Sequence, residues 1–342
     1  VKRAKNLFPQ ILDRDNLRKA FYLAQRGKRD RGDVQAFAGN LEESLAQLSR
    51  DVISGRIPLG TYTQFSIRDP KLRLITAPCF RDRVLHHAMM QVCEPVLDRW
   101  LIHDTYACRV GKGRLAAIQR ACQFSRRAKY AIKLDMRKYF DSISHANLQV
   151  SLRRHFGDAR LLDLWDRIID GHATTSHRGL PIGSLTSQHL ANHYLGHFDR
   201  WIKEHQRCRF YVRYMDDCVI WDDCRTTLRA LAKHSAKFLH DQLDLRLREE
   251  TPLYRTTCGL DFLGYRVLPT HSVLNLRSRR RFRKKLGDLS QALTHGGISE
   301  REYQQRATAL TAFTHAGNAK CWKFRRGVLQ RLSVDDQEAR TV

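Results

Sequence analysis

Proline is scarce in this chain, at 8 of 342 residues, and no apolar run is long enough to span a bilayer, so no membrane partner is expected. The opening Val1-Lys2-Arg3-Ala4-Lys5 leads into no apolar signal core, which argues against secretion. The 9 cysteines form no Cys-x-x-Cys pair, which speaks against zinc sites and a disulfide framework and fits a reducing, cytoplasmic location. Acid is short as well: 35 Asp plus Glu stand against 61 Lys plus Arg, a net charge of +26. A compact chain with that surplus repels itself unless a polyanion partners it, and nucleic acid is the expected one. No internal repeat or low-complexity tract breaks the sequence.

Hydrophobic residues make up 42% of the chain, enough for a folded protein with two or three subdomains. Residues 1 to about 57 read as helical, with Leu41, Leu45 and Leu48 at helical spacing, and the stretch from Ser54 to Pro58 ends that pattern. Tyr62–Ile67 and Leu72–Thr76 read as strands around an Asp69-Pro70 turn, a hairpin carrying Arg68, Lys71 and Arg73. Residues 80–100 return to helix, through Val84, Ala88, Val92 and Val96. Tyr130–Asp135 reads as a buried strand ending in a carboxylate. Helix is expected over 145–170, 187–201 and 225–242, and short strands near 245 and over 262–267. Residues 275–342 read as helical and strongly basic.

The chemistry concentrates in Phe210–Trp221. Apolar and aromatic residues run up to Asp216-Asp217 and away again, which predicts strand, tight turn, strand with two carboxylates at the tip. Asp is a common turn residue, so a solvated hairpin tip is one reading. A hard divalent cation between the acids is the other. If the strand ending in Asp135 pairs in the same sheet, three carboxylates meet at one edge, as two-metal phosphoryl transfer needs.

Four segments, in order, carry a resemblance. Leu134-Asp135-Met136-Arg137-Lys138-Tyr139-Phe140-Asp141-Ser142-Ile143 resembles the first catalytic motif of bacterial reverse transcriptases, and Gly179–Gln188 resembles their second. Tyr214-Met215-Asp216-Asp217 resembles their metal-binding turn, and Gly259–Tyr265 the segment that supports the primer. The resemblance implies an α+β right-hand polymerase with fingers, an antiparallel palm sheet flanked by helices, and a short helical thumb. The boundaries it implies are an N-terminal helical extension over 1–60, fingers over 61–134, a palm over 135–270 with a fingers insertion near 145–180, and a basic helical thumb over 271–342. It further implies two Mg²⁺ ions, with Mn²⁺ as a substitute, on Asp135, Asp216, the less direct Asp217 and the Met136 carbonyl. Lys71 and Arg73 would grip the triphosphate, Arg73 with the better fork. Phe140, or alternatively Tyr139, would exclude a ribose 2′-hydroxyl. Ile182, Gly183 and Gln188 would line the nucleotide. Tyr214, Met215, Leu263, Gly264, Arg279, Arg280, Arg283 and Lys284 would hold template and primer. The expected reaction is RNA-directed DNA polymerisation, with template RNA, nascent cDNA and dNTPs as partners.

The second motif narrows the resemblance. Most reverse transcriptases carry Gln-Gly there and end in Ser-Pro; this chain has Ile182-Gly183 and ends in Ser187-Gln188. That pattern resembles the enzymes of diversity-generating retroelements, as do Thr105–Arg109 with Gly111-Lys112-Gly113, and Phe80–Arg83 before His86-His87. Those enzymes misincorporate opposite template adenines, and the resemblance implies a small basic accessory protein oligomer as partner. An isoleucine cannot make the polar contact of the usual glutamine, so pairing geometry would be held less tightly. A retron, defence or intron-derived role keeps the chemistry and changes the biology, and a non-catalytic RNA-binding protein would leave the three aspartates without purpose. The fourth motif, Arg246–Pro252, lacks the lysine that often protonates pyrophosphate, and arginine is a poor acid. The chain length leaves no room for a ribonuclease H domain, a nuclease or an integrase, so other proteins are expected to remove template and integrate DNA.

Other features have plainer readings. His189, His193 and His197 lie four apart, a metal-compatible spacing that more often marks packing. His86-His87 could touch RNA, with packing as the default. Trp100, Trp165, Trp201, Trp221 and Trp322 read as core or subdomain contacts. The run Arg279–Lys285, broken only by Phe282, reads either as a solvated helix face or as a contact with the template-primer backbone whose strength falls with salt.

Overall fold

The computed structural model describes residues 2–68, 72–316, 324, 326 and 327. Lys71, Trp322 and most of the chain beyond Ala316 lie outside the described residues. The chain is mixed helix and sheet, and it divides into two compact units. One comprises Val1–His103, Met136–Gln206 and His234–Arg248; the other comprises Asp104–Asp135, Arg207–Lys233 and Glu249–Val342.

In the first unit, helices over Arg14–Ala24, Gly32–Gly39 and Leu41–Ile53 form the expected N-terminal helical region. Asp13 caps the first of them, accepting from the Asp15 and Asn16 amides. Leu45 and Leu48 are buried as their spacing predicts. The Asn16 side chain donates to the carbonyls of Ile11 and Ala88 at 2.9 and 3.1 Å, which ties this region to the Phe80–Trp100 helix. Phe21, Phe37 and Phe80 stack and pack edge-on at that junction, with ring centroids 5.5 to 6.0 Å apart. On the long helix Val84 and Ala88 are buried as expected, but Cys93 and Leu97 take the core places given to Val92 and Val96. A spacing of four drifts around a helix of 3.6 residues per turn, which moves the buried stripe on by one residue. Strands β1 (Tyr62–Arg68) and β2 (Leu72–Pro78) pair antiparallel, from Tyr62 opposite Pro78 to Arg68 opposite Leu72.

The second unit holds the main sheet. Its strands are β3 (Tyr130–Asp135), β4 (Phe210–Tyr214), β5 (Asp217–Asp222) and β6 (Leu253–Arg255), all antiparallel, in the order β4-β5-β3-β6. The outer edge of β4 is covered, because Arg213 exchanges backbone hydrogen bonds with Asp104 and Tyr106 at 3.0 Å. Strands β7 (Leu260–Phe262), β8 (Tyr265–Val267) and β9 (Ser272–Leu274) form a second antiparallel sheet. The Arg114–Ser125 helix buries Ala117, Ile118, Ala121 and Phe124 in one core with Ala131, Val212, Val219 and Trp221 from the main sheet and Leu260, Phe262, Tyr265 and Val267 from the second. Trp221 donates its indole N–H to Ser125 Oγ at 3.0 Å, so its one polar atom is satisfied inside that core.

Four expectations need correction. The helix expected over 145–170 is two, His145–Arg153 and Ala159–Asp170, and the second starts afresh where Asp158 caps it by accepting the Leu161 amide. No strand forms near 245: Leu247 makes only an isolated bridge to Met136, and the strand of that region is β6. Residues 262–267 are not one strand, because Leu263 and Gly264 turn the chain between β7 and β8. The helix expected over 187–201 is split into Leu185–Tyr194, Gly196–Arg200 and a π-turn over Trp201–His205. Gly196 sits where a Cβ would come within 2.5 Å of Trp100 Nε1, a demand from a distant residue. The basic segment after 275 is helical over Leu276–Thr294 and Glu300–Ala312.

Candidate active site

Strand β3 ends on Asp135 and β5 begins on Asp217, and the register sets these two residues directly opposite each other. Register-paired residues lie about 5 Å apart between Cα atoms, so two carboxylates share one end of the sheet. Alternation places Lys133, Asp135, Asp217 and Tyr214 on the same face. Met215 and Asp216 form the two-residue turn between β4 and β5, so the third carboxylate stands at the hairpin tip beside the pair. All three aspartates are half-buried.

Two cations that the sequence reading passed over support this end of the sheet. Lys133 Nζ lies 2.8 Å from Asp217 Oδ1, on the diagonal between the strands. Burial works against the charge of Lys133, but Asp217, the hydrogen bond to it and Asp135 outweigh that and hold the ammonium above its ordinary range. Arg213 is fully buried, and its Nη1 donates to the Met215 carbonyl at 2.9 Å. Met215 has φ 56°, a region that residues other than glycine seldom occupy, so the turn is held in a costly shape by a buried guanidinium. Arg213 shares a face with Tyr211 and Cys218, but both faces of this hairpin are packed, so no alternation in the sequence signals its burial or its role as a brace.

The remaining site residues divide between the units. In the first, Met136 is buried and bridges to Leu247, while the Arg137 amide donates to the Arg246 carbonyl at 2.8 Å. The fourth motif thus runs alongside the first. Tyr139 is buried and its hydroxyl donates to the Ala191 carbonyl, whereas Phe140 is half-buried. Arg73 is exposed on β2, opposite Ile67. The Ile182 carbonyl accepts from the Thr76 amide at 2.8 Å, so the second motif is bonded to the base of the β1-β2 hairpin. Gly183 has φ 129°, and a Cβ there would meet Ile75 at 2.8 Å and the Thr76 carbonyl at 3.1 Å, so the close approach requires glycine. Gln188 is exposed. His86 is buried, and its Nδ1 lies 3.1 Å from Ser184 Oγ. It supports the second motif from behind, which excludes the reading in which it touches RNA. The neighbouring His87 is half-buried.

In the second unit, Tyr214 is half-buried against the core, and burial raises its phenol. Leu263 (φ 50°) and Gly264 (φ 87°) form the β7-β8 turn, and the Gly264 carbonyl accepts from the Asn275 amide at the start of the basic helix. A Cβ on Gly264 would come within 2.9 Å of Ser278 Oγ. The four basic residues expected on template and primer fall on two faces. Arg279 and Arg283 lie over the Phe324 ring at 5.7 and 5.3 Å; Arg280, Arg283 and Lys284 are exposed and Arg279 is half-buried. Phe282, the apolar break in the run, is buried.

The histidine stripe is packed. His193 and His197 both bond Ser151 Oγ, at 2.9 and 2.7 Å, beside Trp100 and His155. Burial pushes His189 and His197 down to about 4. Among the described residues no cluster of three His, Cys, Asp or Glu side chains is preassembled for a metal, and the described cysteines are all free.

Comparison of the sequence with known families gives the same direction. The family described as "Reverse transcriptase (RNA-dependent DNA polymerase)" matches residues 67–267, more than half of the chain. Protein YkfC of Escherichia coli is 27% identical over 246 residues, covering 59% of this chain and 65% of that protein. The putative COX1/OXI3 intron 1 protein of Saccharomyces cerevisiae is 24% identical over 170 residues, covering 47% of this chain and 20% of that protein. The chain therefore spans less than two thirds of either relative. Telomerase from Candida tropicalis, solved with a TWJ fragment of telomeric RNA, is similar at a TM-score of 0.48 and 12% identity, over 79% of this chain and 56% of that one. Telomerase from Candida albicans is similar at a TM-score of 0.47 and 9% identity, over 68% of this chain and 50% of that one.

Proposed function

Because the chain belongs to the reverse transcriptase (RNA-dependent DNA polymerase) family, and shares its mixed α+β polymerase fold, we propose that it copies an RNA template into DNA by nucleotidyl transfer. The observation that carries the reading is the register of Asp135 against Asp217, with Asp216 in the adjoining turn. Carboxylates and the Met136 carbonyl are hard oxygen donors, which suits Mg²⁺, or Mn²⁺ in its place, and does not suit zinc. By resemblance to the family motifs Asp135 and Asp216 are the principal ligands, and Asp217, whose Oδ1 lies 2.8 Å from Lys133 Nζ, is the less direct third. Two bound ions would activate the primer 3′-oxygen and stabilise the charge on the departing pyrophosphate. The protein's own contribution is placement: Arg213 fixes the turn, Lys133 fixes Asp217, and the Ile182–Thr76 bond fixes the second motif.

In this reading Phe140 is the gate against ribonucleotides, because Tyr139 is committed to Ala191 and Phe140 is not wholly buried. Arg73 and Lys71 grip the triphosphate, and Ile182, Gly183 and Gln188 line the nucleotide. Tyr214, Met215, Leu263, Gly264, Arg279, Arg280, Arg283 and Lys284 carry template and primer, with Arg279 and Arg283 also lying over Phe324. Template RNA, cDNA and dNTPs are the partners, in the cytoplasm.

The test is dNTP incorporation on a primed RNA template. Replacing Asp216→Asn together with Asp217→Asn should lower incorporation by about a thousandfold or more while the protein still binds RNA. Incorporation at the parent rate would reject the catalytic reading and leave an RNA-binding protein.

The narrower proposal is a diversity-generating retroelement enzyme, supported by Ile182-Gly183 and Ser187-Gln188 in the second motif, with a small basic accessory protein oligomer as a further partner. Ile182→Gln should then reduce errors opposite template adenines, as sequencing of the cDNA would show. An unchanged error spectrum rejects Ile182 as their source. The similarity to a putative intron protein favours an intron-derived role as the second reading.

A further inference from the structure

The main sheet has two ends, and Asp135, Asp216 and Asp217 occupy only one. At the other end, Tyr130 opens β3 opposite Asp222, and a concavity of about 540 Å³ lies beside them. Five residue steps of strand separate Tyr130 from Asp135, about 17 Å. The lining includes Arg126, Arg127, Lys129, Tyr130, Asp223 and Arg255, which come from three separate stretches of the chain.

We propose that this concavity is a second polyanion site, built for the phosphate backbone of folded RNA and separate from the place where nucleotides are joined. Its shape is fixed by the protein. The Asp223 carboxylate accepts the Lys129 amide at 2.9 Å, and Thr256 bonds the carbonyls of Ala128 and Lys129 at 2.8 and 3.0 Å. Arg126 Nε donates to the Pro269 carbonyl at 2.5 Å, and the Arg225 guanidinium lies over the Tyr130 ring at 4.6 Å.

The charge at this end is not balanced. Arg120, one turn and a half earlier, is paired with Asp104 at 2.8 Å. Arg126, Arg127, Lys129, Arg225 and Arg255 form no ion pair with a carboxylate among the described residues, so five cations stand against Asp222 and Asp223, each of which accepts a backbone amide. Arg126 sits at the end of the Arg114–Ser125 helix, where a cation complements the helix dipole. That account does not reach Arg225 or Arg255, which come from other elements. A cluster of unpaired cations around a preformed hollow is the electrostatic footprint of a phosphate chain.

Backbone rather than bases is the target. Sequence readout of single strands uses exposed aromatic rings, and the one ring here, Tyr130, is covered by Arg225. A protein partner would need apolar or aromatic anchors at the centre of the interface, and the lining offers only Tyr130 and Pro269 as candidates of any size. Double-stranded regions of a structured RNA, read by shape and phosphate spacing, fit these surroundings.

The inference goes beyond the polymerase reading, and its test separates the two. The triple variant Arg127→Glu, Lys129→Glu, Arg255→Glu changes only exposed side chains. A control triple, Arg29→Glu, Lys237→Glu, Arg301→Glu, makes the same charge change on exposed residues elsewhere. Binding of bulk transfer RNA, a structured probe, is measured between about 50 and 200 mM salt, beside extension of a short primed template. The site triple should bind the RNA about tenfold more weakly and lower the salt slope by about two to three, because three phosphate contacts are lost. The control triple should change both far less, and both should extend the short primer near the parent rate. A second readout needs no variant: Cys224 is exposed beside Asp223, and transfer RNA should slow its alkylation. The site is overturned if the two triples weaken binding equally, if the site triple binds as the parent does, if it loses short-primer extension while folded, or if Cys224 alkylates equally fast with RNA present. A parent protein that binds RNA but extends no primer would overturn the polymerase reading and leave this one standing.

Discussion

The two hairpins that carry the proposed site charges are built in opposite ways. In β4-β5, Tyr211, Val212, Arg213, Cys218, Val219, Ile220 and Trp221 are all buried, so both faces are packed. In β1-β2, Phe65, Ile67, Leu72 and Leu74 are between 43 and 65% exposed, so only the pairing of the strands shapes the distal part. Burial on both faces fixes where a carboxylate points, which a metal site needs. An exposed ribbon with cations can adjust to a charged ligand, and its fixed point is the base, where Thr76 bonds Ile182. The difference teaches where rigidity was placed: under the aspartates and at the foot of the hairpin, not along its length.

Breaking the rigid member should cost most. Arg213→Leu removes the donor to the Met215 carbonyl from a fully buried place and should destabilise the protein by about 3 kcal/mol in urea unfolding. Primer extension should fall by more than the lost folded fraction accounts for. An unchanged unfolding midpoint would remove Arg213 as a brace. The foot of the exposed hairpin should respond next. Gly183→Ala forces a Cβ against Ile75 and an unfavourable φ, for about 1–3 kcal/mol. Because the second motif would shift, the KM for dNTP should rise more than kcat falls. Equal kinetics would show that the contact yields freely.

Acid sharpens the contrast most gently. Burial, with His87 and Arg83, pushes His86 down to about 3, and burial with Arg83 and Arg26 pushes His87 down to about 4. The unfolded chain takes up these protons near 6.5 while the folded chain resists, so their effect is absent above about 6.5 and grows as pH falls toward 4. His86 supports Ser184 and the second motif, whereas β4 and β5 contain no histidine. Hydrogen exchange at pH 5 should therefore speed up around residues 182–186 before it does in β4 and β5. Simultaneous loss of protection would contradict a separate weak point at the hairpin foot.

Much of this was legible in the chain because the signals are local. Tyr62–Ile67, Leu72–Thr76, Tyr130–Asp135 and the turn at Asp216 are short runs whose alternation and bounding residues carry their own assignment. Strands β6 and β9 escaped notice because three residues have no periodicity; Leu253 is a strand residue only because Ile132 stands opposite it. The requirement for glycine at 196 comes from Trp100, nearly a hundred residues away, and no local pattern encodes that approach. The aspartates were visible by composition, but Lys133 and Arg213 looked like ordinary strand charges. Their partners, Asp217 and the Met215 carbonyl, are set by register and by a turn dihedral.

The interleaving of the two units has a consequence for how the protein comes into being. Residues 104–135 and 207–233 belong to one unit, and the stretches that flank them belong to the other. On the ribosome, the first unit cannot close until His234–Arg248 has emerged, by which time two of the three pieces of the second have already been made. Each body must therefore wait, partly assembled, for a strand or helix still to be synthesised, and a truncation placed anywhere before Arg248 would leave both unfinished.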